Sequence, residues 1–474
     1  MDLLPSRDVI RDICIIGGGP AGLAALKTIV QTEEYKAGLW KPTLFERRDN
    51  VGGVWLPAPP TDDPPLTPLY DSLTTNLPHP VMCYECYPFP PSTPLFPHAA
   101  VVEKYLQDFA AHFDLTPCIQ LDTSVDEVKW DSSKSKWIVR TSTFSGASEE
   151  ADFDSIIIGN GHYYEPRYPD TPGVDSWLKA GKASHSAWYR HPHNLGDVVL
   201  VVGAGPSGQD ISAETRTTAK LVIHSVPGAA KSDLAPNYKR RGRVTEFRDA
   251  GQVVFEDGTT ERGIDYCILA TGYYMSFPFF RDMKIGLPPP LPPLPAHLYN
   301  SRDHVFPLAR HVWPIQSQFP VATVAFLGLL LKVAPLPLLE AQARAVVRVY
   351  RRPEALDVTR EAVGIVARYE ELKSVYGDNQ AAIGGAWHRF VGLEQFEYRD
   401  ALNEFAGEPE NKVQPWIVEM YEKKDVLRSE WRELERIGEA EEWVRGVGEG
   451  GLEEWIELMR KLLRRAEERQ AART

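Results

Sequence analysis

Ile13-Cys14-Ile15-Ile16-Gly17-Gly18-Gly19-Pro20-Ala21-Gly22-Leu23 is the stretch whose reading decides the fold. Residues 8–16 hold five β-branched or aliphatic side chains, the pattern of a parallel strand covered on both faces. Gly17, Gly19 and Gly22 then spell G-x-G-x-x-G. The first glycine makes a tight turn, the second lets backbone N–H groups approach a pyrophosphate, and the third lets the next helix pack on the strand. Pro20 suits a first helical turn, where an N–H would have no partner. The helix that opens at Pro20 and Ala21 offers free N–H groups and a positive dipole end to phosphate. Thr43-Leu44-Phe45-Glu46 ends a second strand with a carboxylate 24 residues after Gly22, where an acid binds ribose hydroxyls. For the glycines alone, a purely structural turn is the competing reading.

The chain has 474 residues, enough for two or three domains. A net charge of −13, with no dense basic stripe, argues against nucleic acid as a partner. Cys14, Cys83, Cys86, Cys118 and Cys267 are few and odd in number, so no disulfide framework is expected. The N-terminus lacks the apolar segment of a signal peptide, which points to a cytoplasmic protein. The most apolar run, residues 321–339, is broken by Lys332, Pro335 and Pro337 and reads as strand and loop, not a membrane span. No metal site is expected.

Outward from the glycine turn, residues 57–68 are proline-rich and read as a surface loop. Helical spacing over 98–113 puts Val101, Val102, Tyr105, Leu106 and Phe109 on one face. Val125–Val128 and Trp137–Val139 read as paired strands, and residues 154–161 as a buried strand ending in glycine. A second unit begins at Asp197: the strand 198–202 enters Gly203-Ala204-Gly205-Pro206-Ser207-Gly208, again G-x-G-x-x-G with proline in the same place. The strand 221–225 follows and ends at Ser225 without a carboxylate, so nothing there repels a 2′-phosphate and NADPH is favoured over NADH. Lys231, Lys239, Arg240 and Arg241 just downstream supply positive charge, or form a solvated basic loop. Leu269-Ala270-Thr271-Gly272-Tyr273 is a third strand-to-glycine junction, a proline run over 287–295 reads as loop, and the chain is mostly helical from Leu338. Near its end Leu452, Trp455, Ile456, Met459, Leu462 and Leu463 form one apolar stripe.

The chain resembles the flavin-containing monooxygenases, particularly the short soluble forms of fungi and bacteria. The matches are GGGPAGL, Gly52-Gly53-Val54-Trp55, Thr75-Asn76, GAGPSGQDIS, LATGY at 269–273, and Glu340-Ala341-Gln342-Ala343-Arg344. The family motif F-x-G-x-x-x-H-x-x-x-(F/Y) falls on Gly181, His185 and Tyr189, with Lys179 where an aromatic belongs and Trp177 the nearest one. Tyr189 tilts the choice away from Baeyer–Villiger enzymes, whose motif ends in tryptophan, although Trp188 sits one position early.

What the resemblance implies is an α/β protein with two nested Rossmann-like dinucleotide-binding domains, for FAD and NADPH, and a helical C-terminal extension. The expected boundaries are 1–164 and 286–474 for the FAD-binding parts and 165–285 for the NADPH-binding domain. FAD is expected non-covalently at Gly17, Gly19, Pro20, Ala21, Gly22 and Glu46, with Gly53, Val54, Trp55, Thr75, Asn76 and Val125 as further cofactor contacts. NADPH falls to Gly203, Gly205, Pro206, Ser207, Gly208, Ser225 and Lys231, with Thr271 and Gly272 at the return junction. NADPH reduces FAD, O2 adds to give a C4a-hydroperoxyflavin, and one oxygen atom passes to a soft nitrogen or sulfur of a small molecule. Asn76 aligns with the active-site asparagine, whose amide offers a donor and an acceptor without charge; as a residue type alone it reads as a turn before Pro78. His185 reads as ordering the linker ahead of the second domain. The rivals are a Baeyer–Villiger enzyme, a flavin disulfide reductase using Cys83-Tyr84-Glu85-Cys86, and a non-enzymatic protein of the same fold. Partners are the substrate and O2, without nucleic acid or membrane; a homodimer is the assembly to test.

Overall fold

β1 (Arg11–Ile16) is buried from Ile13 onward and enters α1 (Pro20–Val30), which lays Leu23, Ala24, Leu26 and Ile29 into the core. β2 (Trp40–Phe45) pairs with β1 in parallel, Ile16 opposite Phe45. α2 (Ala99–His112) buries Val102, Tyr105, Leu106 and Phe109, the face its spacing predicts. β3 (Ile119–Gln120) adds to the edge of β2. β4 (Thr123–Asp131) and β5 (Lys136–Thr143) are the expected pair, Val128 opposite Val139. A third strand, β6 (Ser148–Phe153), joins them unforeseen: all but Phe153 is exposed, so no apolar alternation marked it. β7 (Ser155–Ile158) returns to the other side of β1.

These elements belong to one of two compact units among the described residues, 10–472, of this computed structural model. It comprises residues up to 56, 74–161 and 275 onward; the other comprises 57–73 and 162–274.

In the second unit come α3 (Val174–Lys179), β8 (Ala183–His185), β9 (Val198–Val202), α4 (Pro206–Thr215), β10 (Leu221–Ser225), β11 (Ser232–Ala235), β12 (Tyr238–Arg241) and β13 (Tyr266–Leu269). The sheet runs β11-β12-β10-β9-β13-β8 and is parallel except for β11 against β12. Lys239, Arg240 and Arg241 therefore lie in a strand, not in a basic loop. The proline-rich segment is clasped rather than loose. Arg190 donates to the carbonyls of Ala58 and Thr67, and Tyr70 packs edge-on against Tyr189.

β14 (Val324–Phe326) pairs with β7 and completes the first unit's sheet, β14-β7-β1-β2-β3, all parallel. The apolar run after it becomes α5 (Pro335–Arg351) earlier than expected. Pro335 and Pro337 sit in the first turn, where missing N–H groups cost nothing. Then follow α6 (Val358–Tyr376), α7 (Gln380–Trp387), α8 (Glu394–Ala406) and, last, α9 (Leu452–Ala471). α9 buries Trp455, Ile456, Leu458, Met459 and Leu462; Leu452, expected in this stripe, is exposed at the helix's first residue. No helix among the described residues is long and apolar enough to cross a membrane.

Candidate functional site

The first glycine turn is set by backbone contact. Gly17 has φ +103°, and its N–H donates to the Phe45 carbonyl at 2.9 Å. A Cβ on Gly22 would lie 1.9 Å from the Gly17 carbonyl oxygen, and one on Gly53 2.7 Å from the Gly19 Cα. Gly52 N–H donates to the Gly18 carbonyl at 3.0 Å, tying the second glycine pair to the first. The turn thus brings Gly17, Gly19, Pro20, Ala21, Gly22, Gly53, Val54 and Trp55 together at the open end of α1. No acid stands in that helix's first turn and no side chain caps it, so its polarity favours an anion. Glu46 is buried; one carboxylate oxygen takes the Gly18 N–H at 2.7 Å and the other the Arg48 N–H at 2.9 Å. Each oxygen keeps a lone pair for a ribose hydroxyl. These residues fit a dinucleotide.

Thr75 and Asn76 are held from both sides. Thr75 N–H donates to the Pro97 carbonyl at 3.0 Å, its hydroxyl to the Leu77 carbonyl at 2.8 Å, and His79 N–H to the Leu95 carbonyl at 2.9 Å. Asn76 itself is exposed, and its amide makes no hydrogen bond among the described residues. It lies in the bend that precedes Pro78, where the turn reading puts it, with its side chain unengaged. Val125 is half-buried on β4.

The second turn repeats the first. Gly203 has φ +138°, its N–H donates to the Ser225 carbonyl at 3.0 Å, and a Cβ on Gly208 would fall 2.2 Å from the Gly203 carbonyl oxygen. Gly205 differs: nothing lies within 4 Å of a Cβ there. Pro206 and Ser207 open α4, again without an acid in the first turn.

Ser225 ends β10, as its sequence predicts. Ser225 stands opposite Val202 as Phe45 stands opposite Ile16, so the counterpart of Glu46 is Val226. Ser225 is buried and its hydroxyl donates to the Gly242 carbonyl at 2.9 Å. The position after it still carries no carboxylate. His224 is buried as well, with Nε2 2.7 Å from the Gly203 carbonyl oxygen. Among the four cations, Lys239 and Arg241 are paired with Glu261. Lys231 and Arg240 are exposed and form no ion pair among the described residues.

His185 fixes the return junction. It is fully buried, Nδ1 accepts from Ala187 N–H at 3.1 Å, and Nε2 therefore carries the proton and donates to the Gly272 carbonyl at 2.9 Å. Burial pushes its pKa down to about 4, which keeps the ring neutral. The Thr271 hydroxyl donates to the Arg167 carbonyl. Tyr189 donates to Glu214 at 2.6 Å, and buried Trp177 packs on Phe247.

Cys83 and Cys86 are poor nucleophiles. Burial pushes each thiol up to about 12, and the Glu340 carboxylate adds to it. Two further glycines line the first turn without having been named as site residues. Gly159, after β7, has its carbonyl 2.7 Å from where a Gly17 Cβ would be, and Gly328, after β14, stands by Ala21. Gly159 directly follows a buried strand and Gly328 follows one after Leu327, and that was the available signal.

A family model described as flavin-binding monooxygenase-like matches residues 10–231 and 231–391. The flavin-containing monooxygenase FMO GS-OX-like 4 of Arabidopsis thaliana is 29% identical over 480 residues, spanning 92% of this chain and 98% of its own length. FMO GS-OX-like 6 of the same plant is 30% identical over 475 residues, spanning 91% and 95%. The solved structure of S-allyl-L-cysteine S-oxygenase from Allium sativum is similar with a TM-score of 0.74 at 27% identity, covering 92% of this chain and 98% of that one.

Proposed function

Because the chain belongs to the flavin-binding monooxygenase-like family, whose members bind FAD and use NADPH, we propose that it transfers one oxygen atom of O2 to a soft nitrogen or sulfur centre of a small molecule, thioether sulfur first. The choice of sulfur follows the similarity to an S-oxygenase. The observation that carries the reading is the pair of glycine turns of one build, the first followed by Glu46 and the second by Val226. FAD, when bound at the first turn, supplies the electron and oxygen chemistry. The protein's share is placement. Gly17–Gly22 and the α1 N-terminus receive the pyrophosphate, Glu46 receives ribose hydroxyls, and the unengaged Asn76 amide orients polar groups at the reacting edge. NADPH falls to Gly203–Gly208, with Lys231 and Arg240 as the free cations for a 2′-phosphate. The raised thiols of Cys83 and Cys86 speak against the disulfide-reductase alternative.

The test is direct. The purified protein should be yellow and release its flavin on denaturation. With O2 and NADPH it should convert alkyl cysteines, aryl sulfides or tertiary amines to products one oxygen atom heavier. With Lys231→Ala, KM for NADPH should rise about tenfold or more, the loss of one charged hydrogen bond of roughly 1.5–3 kcal/mol, while KM for NADH stays put. A colourless protein, or NADPH oxidation without oxygenated product from any of these, would refute the reading. Lactones formed from ketones instead would identify a Baeyer–Villiger enzyme.

A further inference from the structure

A cavity of about 400 Å3 lies within the first unit, walled by α6, α7, α8 and the segment 308–311. None of its lining residues belongs to either glycine turn. That volume is in the range of small-molecule sites.

The backbone at one wall is strained. Arg310 and His311, adjacent in sequence, both have positive φ, 49° and 57°. Side chains in that region cost energy, and such residues gather where a ligand is held. Hydrogen bonding then fixes the His311 tautomer. Val305 N–H donates to His388 Nε2 at 3.2 Å, so His388 Nδ1 carries the proton and donates to His311 Nδ1 at 3.0 Å. His311 is neutral, because burial pushes its pKa down to about 3. Its own proton is therefore on Nε2, which finds no acceptor among the described residues. The indole N–H of Trp387, another wall residue, is buried without an acceptor. An unmatched buried donor calls for an unseen acceptor.

The charges narrow the choice. Glu361 is paired with Arg310 at 2.8 Å and Glu394 with Arg368 at 2.8 Å, leaving exposed Glu397 as the unpaired acid. The Nη groups of Arg310 make no hydrogen bond among the described residues. Unfilled donors thus outnumber unfilled acceptors, against apolar walls such as Ile365 and Leu402. Three nearby carboxylates disfavour a dianion. Gly364 lines the same cavity in mid-α6, exposed, with nothing within 4 Å of a Cβ. Packing does not require glycine there, and a helix interior loses about 0.5–1 kcal/mol by it relative to alanine. It leaves the cavity's mouth open.

We propose that this cavity is a second small-molecule site, which takes an organic monocarboxylate with a compact apolar body and sets its carboxylate on Arg310 and His311. The experiment is calorimetric titration of the FAD-loaded full chain with 3-phenylpropionate and hexanoate, each against its neutral amide. The acids should bind one to one and the amides about tenfold or more weaker. Gly364→Trp should abolish binding while flavin content and NADPH oxidation stay unchanged, and Gly364→Ala should keep it. Trp387→Phe should weaken it severalfold. Absence of binding by both acids up to about 10 mM, equal affinity for acid and amide, or full binding by Gly364→Trp would each overturn the proposal.

Discussion

Asn76 is presented to solvent by a backbone pinned on both sides while its amide stays unspent. An amide so placed has its donor and acceptor open to a ligand, and in the reading proposed above it serves one. Asn76→Ala should therefore leave flavin content and much of the NADPH oxidation in place, with thermal stability unchanged. Oxygenated product should fall on the order of 10²–10³, the cost of losing one oriented donor at a reacting oxygen, and H2O2 should rise to match the NADPH consumed. Coupled product formation that survives the substitution would remove Asn76 from the mechanism. At this scale sequence served unevenly. The place of Glu46 at the end of β2 was legible because its distance from Gly22 is set by the length of the crossover. Ser225 ends its strand as read, but that Val226 is the counterpart of Glu46 is a matter of pairing register, which composition does not reveal.

The two crossovers have the same covalent plan and different room around their middle glycines. Gly19 faces the backbone of Gly53, whereas Gly205 faces open space. The third glycine is tight in both, and in the second turn Gly203 is equally so, its Cβ position 2.1 Å from the Ala270 carbonyl oxygen. Gly208→Ala should therefore cripple folding of the second unit, visible as a lower thermal midpoint or insoluble expression. Gly205→Ala should fold normally and raise KM for NADPH while FAD remains bound, because only a cofactor's approach is obstructed. A normal KM in Gly205→Ala would show that the cofactor stays away from this turn. Elements with strong periodicity were readable, as α2 and the β4–β5 pair show. β6 was not, because a solvent-exposed strand needs only a partner's backbone and leaves no apolar trace. The early start of α5 was hidden by prolines that usually end a helix but here begin one.

Across the whole molecule, several histidines are buried in neutral form. Burial pushes His79 and His311 down to about 3, and His185 and His304 to about 4, from the usual 6.5. In the unfolded chain these rings take up protons as the pH drops below 6.5, while in the folded chain they do not. The stabilisation is present above pH 6.5 and is lost as pH falls toward 4. At pH 5.5 each such ring removes about 1.4 kcal/mol. The thermal midpoint should drop clearly between pH 7.5 and 5.5, and a flat profile over that range would show these rings to be already protonated or exposed. The nesting of one dinucleotide unit inside another was visible from the repeated glycine motif. That residues 57–73 group with the second unit was not: Arg190 holds them through carbonyls, and every residue has a carbonyl.

The raised thiols at Cys83 and Cys86 bear on durability. A catalyst that activates oxygen leaks peroxide whenever a turnover misfires, and the first casualty is ordinarily a nearby thiolate on its way to sulfenic acid. With both groups titrating near 12, almost none of either is ionised at neutral pH. Long runs without substrate should accordingly leave both residues unoxidised by peptide mass analysis while peroxide builds up in the flask. The surroundings that make this pair useless for redox exchange, the Glu340 carboxylate among them, spare it from the enzyme's own exhaust.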